Sequence, residues 1–219
     1  MTRTAFVQSL QELQDGVMSL GSMTEKAIGR AIDSLRNQDS ALAQRVVDED
    51  KRINEARYEL EDACILLMAT QAPMASDLRR ITAVTQIATE LERMADHAEG
   101  VAVLTLRTAD EPLLKPLVDI PRMADIAREL LLEALDAYVE DDAERAKQVA
   151  RRDDEVDRLY EQVYRELLTF MISDPRTITR ATHLLWVAHN VERIADRVTN
   201  ICERVVFVVT GELEELNRK

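Results

Sequence analysis

The sequence predicts an all-α fold: six long helices forming two pseudo-symmetric antiparallel three-helix bundles, residues 1–110 and 111–219, packed as one unit. Three observations predict it. The 219 residues are 46% hydrophobic and 32% charged, with 4% aromatics and only five each of Gly and Pro. That balance favours helix over sheet and suffices for a substantial core. Apolar residues recur at spacings of three and four, the period of a helix with one buried face. The chain also repeats itself: "ATELERMAD", from Ala88, returns as "AHNVERIAD", from Ala188, exactly one hundred residues on.

The elements follow in order, each boundary good to about 2–4 residues. Phe6, Leu10, Leu13, Val17, Leu20, Ala27, Ala31 and Leu35 form the stripe of a first helix, 4–37. A second, 39–70, ends before Pro73, which interrupts the pattern. Leu78, Ile81, Val84, Ala88, Leu91, Ala95, Ala98 and Ala102 stripe a third, 74–108. "TADEPLLKPLVDIP", with Pro112, Pro116 and Pro121, links the halves. The fourth and fifth are 119–140 and 142–172. The sixth, 175–216, starts with Asp174 as N-cap and Pro175 in the first helical position. "DKRIN", from Asp50, aligns with "DDEVD", from Asp153, and Met68 with Met171, both at an offset of 103. Three extra residues around "ATQAPMASD" then bring the offset to 100. A solenoid of helix pairs fits less well, because the period is near 100 and not the ~35 of such repeats.

The net charge of −13, from 41 acidic and 28 basic residues, repels phosphate backbones and argues against a nucleic-acid partner. It suits cations or a basic docking site, although most acids simply keep helix faces solvated. Cys64 and Cys202 lie in apolar helical runs and read as reduced core thiols of a cytosolic protein. The N-terminal residues do not read as a secretory signal, and the longest apolar runs, such as "VVFVV" (Val205–Val209), are too short to be a transmembrane segment. That run suits burial against another subunit or packing at a helix end.

The repeated carboxylates ask for a reason beyond a shared core. Helical residues four apart point the same way, about 6 Å along the axis. Glu92 with Asp96, and Glu192 with Asp196, therefore pair on one face. Two such acids repel when ionised, and a divalent or trivalent cation relieves the repulsion. The preceding helix adds Asp153 and Asp157 in the second half, and Asp50 with Asn54 in the first. An amide in place of an acid makes the first-half site the weaker expectation. No histidine has Glu three positions before it, which argues against an oxygen-activating di-iron bundle. His189 precedes Glu192 by three but reads as a surface histidine. His97 shows only a helical setting. Trp186 and the methionines at helical spacing read as core packing. No Gly-rich phosphate loop or nucleophile–base set is present. The alternative to a binding protein is a carboxylate-bridged metalloprotein, for metal storage or oxygen activation.

Glu-Arg-x-Ala-Asp on the third helix of each repeat resembles the PhoU family, accessory regulators of the phosphate-specific transport system. "DLRRI" (Asp77–Ile81) and "NVERIADRVTNICERVVF" are similar to that family's patterns, and the likeness runs from the first helix to about Val209. The resemblance implies a non-enzymatic cytoplasmic protein, peripheral at the inner membrane through its partners and homodimeric. Those partners are the ATP-hydrolysing subunit of the phosphate ABC transporter and a sensor histidine kinase, and the effect is to restrain uptake and starvation genes when phosphate is sufficient. It also implies multinuclear clusters of iron or zinc, with magnesium or manganese as further choices. Carried over, the ligands are Glu92, Asp96, Glu192, Asp196, Asp153 and Asp157, with Asp50 and Asn54 as the departing pair.

Overall fold

Amphipathic periodicity yields helices and no strand in this computed structural model, which describes residues 3–216. They are α1 (Arg3–Asn37), α2 (Ser40–Gln71), α3 (Ser76–Thr108), α4 (Asp119–Glu140), α5 (Ala143–Arg151), α6 (Asp153–Ser173) and α7 (Ile178–Thr210). Side-chain caps set several starts: Asp39 accepts from the Leu42 N–H and Asp142 from the Arg145 N–H, each at 2.9 Å.

The fifth predicted helix is divided into α5 and α6. At Arg152 the backbone closes on residues three apart instead of four. Its N–H reaches the Val149 carbonyl at 3.0 Å, and the Glu155 N–H reaches the Arg152 carbonyl at 2.9 Å. The Arg152 guanidinium meanwhile pairs with Glu129, Glu133 and Glu155 at 3.3, 2.8 and 3.1 Å. The sixth predicted helix starts as expected, with Asp174 accepting from the Arg176 N–H at 3.0 Å, but residues Pro175–Thr177 form a 3-10 turn. It ends at Thr210, six residues before the predicted 216. Gly211 adopts φ +80°, and its N–H caps the Phe207 carbonyl at 2.9 Å.

α3 packs on α1, α2 and α7, while α7 packs on α3, α4, α5 and α6. One apolar cluster runs through all of them, from Leu13 to Val206. The stretch between α3 and α4 is tied down: Gln38 donates to the Glu111 carbonyl, Arg180 donates to that of Pro112, and Lys115 pairs with Glu166.

The α3–α7 seam carries a polar code at positions one hundred apart. Glu90 accepts from Arg197 at 3.3 Å and from Asn200 at 3.0 Å. Its counterpart Asn190 meets His97 Nδ1 at 3.0 Å and lies against Gly100, where a Cβ would come 3.1 Å from the amide oxygen. Burial lowers the His97 pKa, and the neighbouring Arg197 lowers it further, against the hydrogen bond with Asn190.

Some side chains depart from the sequence reading. Trp186 is 49% exposed and lies beside the His183 ring instead of entering the core. Leu78 and Met74 are exposed too, whereas Met94 and Met123 are fully buried. Val205, Val206 and Val208 are buried within the chain itself, so packing at the end of α7 accounts for the "VVFVV" run. Cys64 and Cys202 are buried free thiols. Among the described residues, no helix is long and apolar enough to cross a membrane.

Candidate metal centres

Helical spacing places Glu92, Asp96 and Glu99 along one side of α3, opposite Asp50 of α2. One carboxylate oxygen from each of Asp50, Asp96 and Glu99 lies within 4.8 Å of the others. Asp50 is only 9% exposed. Its Oδ2 accepts from the Asn54 amide at 2.8 Å, while its buried Oδ1 has no hydrogen-bond partner among the described residues. Burial pushes the Asp50 carboxyl up to about 6, with help from the charges of Glu99 and Asp96 and against the Asn54 hydrogen bond. Glu99 is raised by burial and then by Asp96. Glu92, outside the trio, is raised for the same two reasons and pulled back by Arg57 and Arg93. The Arg93 guanidinium itself turns to Glu90, at 3.7 Å.

In the second half, α6 supplies Asp153 and Asp157 and α7 supplies Asp196, with ligand oxygens again within 4.8 Å. Here the arginine stays at the site. Arg193 donates to both oxygens of Glu192, at 2.8 and 3.0 Å, and pairs with Asp196 at 2.9 Å. Glu192 and Asp153 are buried, each 6% exposed. His189 is exposed, its Nδ1 3.7 Å from Glu192.

The structure thus brings Asp50 with Asp96, and Asp153 with Asp157 and Asp196, and leaves Glu92 and Glu192 beside their trios. Glu99 is the residue that sequence reasoning missed. Aligning the repeats sets Asn54 opposite Asp157 and Glu99 opposite Thr199. The first half has lost one acid from α2 and carries another on α3, so each cluster still has three. Asp96 with Glu99 is an i, i+3 pair, a same-face spacing as good as i, i+4.

Three carboxylate oxygens this close match a cation whose oxygen ligands sit about 2.0–2.6 Å away. Both donor sets are all oxygen, which suits magnesium, calcium, manganese or iron better than zinc, whose habitual ligands are cysteine and histidine.

A PhoU-domain profile matches residues 17–105 and, separately, 120–205. The chain belongs to the PhoU family. It is similar to the phosphate-specific transport system accessory protein PhoU homolog of Clostridium acetobutylicum, 37% identical over 218 residues, 99% of this chain and 100% of that one. It is 34% identical to the Escherichia coli accessory protein PhoU over 207 residues, 94% and 86% of the two chains. The crystal structure of PhoU from Pseudomonas aeruginosa superposes with a TM-score of 0.90 at 33% identity, covering 94% of this chain and 100% of that one. The PhoU regulatory protein of Streptococcus pneumoniae superposes at 0.89 and 29% identity, over 95% and 99%. Two PhoU-domain matches along one chain agree with the doubled Glu-Arg-x-Ala-Asp.

Proposed function

We propose that this PhoU-family chain is a non-enzymatic accessory protein of a phosphate transport system that holds multivalent cations at its two carboxylate trios. The observation that carries the metal reading is the trio itself, kept at equivalent places in both halves although its members differ. The buried, unpartnered Oδ1 of Asp50 adds to it, because an uncompensated oxygen there costs folding energy unless a cation takes it. A cation supplies charge neutralisation that lets α2 and α3, or α6 and α7, keep ionised acids at their contact. Asp50, Asp96 and Glu99 would hold one, and Asp153, Asp157 and Asp196 another.

On this reading the protein acts by docking. Its acidic face meets the transporter's ATP-hydrolysing subunit and a sensor histidine kinase, as a homodimer on the cytoplasmic side of the membrane, and restrains uptake and starvation genes when phosphate is plentiful. The names of the relatives support the link to phosphate transport. The test is metal content per chain by mass spectrometry, on untagged protein prepared without chelator. D50N/D96N/E99Q and D153N/D157N/D196N should each lose the ions of one trio and keep those of the other. Pull-down of the transporter ATPase at high and low phosphate should show phosphate-dependent capture. Metal-free wild-type protein that still captures its partner would sink the metal reading and leave the adaptor.

A further inference from the structure

Between α1 and α2, on the side of the first trio, lies an open cavity of about 230 Å³. Its wall carries Lys26 and Arg30 from α1 and Arg52 from α2, with Glu49 and Asp50 as the acids. Arg30 is committed to Glu49 at 2.6 Å. Lys26 and Arg52 make no ion pair with any described residue. Three bases against two acids leave a positive hollow in a chain of net charge −13. Four other hollows carry as many acids as bases, or more. Asp50 is the shared wall: it lines this cavity and belongs to the trio with Asp96 and Glu99.

We propose that this cavity is a phosphate-group site, in which Lys26, Arg30 and Arg52 take the oxygens on one side and the cation of the Asp50 trio takes one on the other. The inference rests on the cation reading of that trio, since an empty trio would set the Asp50 carboxylate against an incoming anion. An oxyanion held there would be neutralised by guanidinium and ammonium groups from one side and by the cation of the trio from the other. A cavity of about 230 Å³ offers the room of several waters at roughly 30 Å³ each, enough for a tetrahedral anion and part of its hydration.

The test is calorimetric titration of the manganese-loaded full-length chain with inorganic phosphate, ATP and sulfate, beside K26Q/R52Q. Both substituted side chains are exposed, and circular dichroism checks that the variant keeps its fold. Expected is binding of a phosphate group that weakens at least about tenfold in K26Q/R52Q, the size of one or two lost charged hydrogen bonds, with manganese content unchanged. Tighter binding of inorganic phosphate than of ATP assigns the site to the free anion; the reverse assigns it to a nucleotide. Manganese retained with no phosphate or ATP binding, or with binding indifferent to K26Q/R52Q, overturns the site and leaves the metal reading standing. A chain that holds neither manganese nor magnesium, calcium or iron overturns both.

Discussion

Arg93 and Arg193 occupy the same place in the repeat and face opposite ways. Arg193 clamps Glu192 and Asp196, whereas Arg93 leans to Glu90 and leaves the first trio uncompensated. A clamp competes with a cation for the same oxygens. Arg193→Gln should therefore raise manganese affinity of the second trio about tenfold, and Arg93→Gln should change the first less than twofold; titration of each variant against the wild type reads both. Asp50 carries a pH signature in metal-stripped protein. Its folded pKa of about 6 exceeds the ordinary 3.8, so the folded state holds the proton more tightly and the ionised form opposes folding. The penalty is absent below the lower value and complete above the upper one. Asp50→Asn should then raise Tm at pH 7 and leave it unchanged near pH 3; an equal shift at both would mean that the amide acts through packing alone. The arginine contrast is half legible in the chain, where Arg93 has Glu90 three residues before it and Arg193 has Asn190; the burial that raises Asp50 comes from packing and is not.

Most elements were legible, because they end where local chemistry ends them. Pro73, Asp174 with Pro175, and the proline-rich link before α4 all mark true breaks. The division at Arg152 had no such marker. There the Arg152 guanidinium meets Glu129 and Glu133 of α4, tertiary contacts that no local signal in the chain announces. Trp186 misleads for a related reason: helical spacing places a residue on a face, but not on a face that something covers. Close helix approach was also hidden. Gly21 of α1 faces Leu135 of α4, and an added methyl would overlap its Cδ1. Gly21→Ala gains about 1 kcal/mol of helix propensity and loses about 1–3 kcal/mol to overpacking of a buried leucine. A net loss of roughly 1 kcal/mol is expected by urea denaturation, and Gly21→Ala with Leu135→Ala should not be additive.

At the scale of the molecule, cation binding and folding are one equilibrium. A trio filled at a hundred times its dissociation constant adds about 2.7 kcal/mol. For a chain of this length that is about 5–10 °C of Tm per trio. Manganese should give about twice that rise in the wild type, that rise in either trio variant, and none in the two combined; a rise surviving in the combined variant would place the ion elsewhere. The candidate site was legible as far as it was written twice, in Glu-Arg-x-Ala-Asp, and became obscure where the halves parted, at Asn54 and Glu99. The same parting shows along the α3–α7 seam, and it bears on descent. An ancestral duplicate would have met its twin through identical positions. Now Glu90 answers to Arg197 and Asn200, while Asn190 answers to His97 and Gly100. A substitution at 90 should disturb the contacts of 197 and 200 and leave those of 97 and 100 untouched. The two copies are now complements, each bringing to the seam partners that the other lacks, and neither can stand in for its sibling.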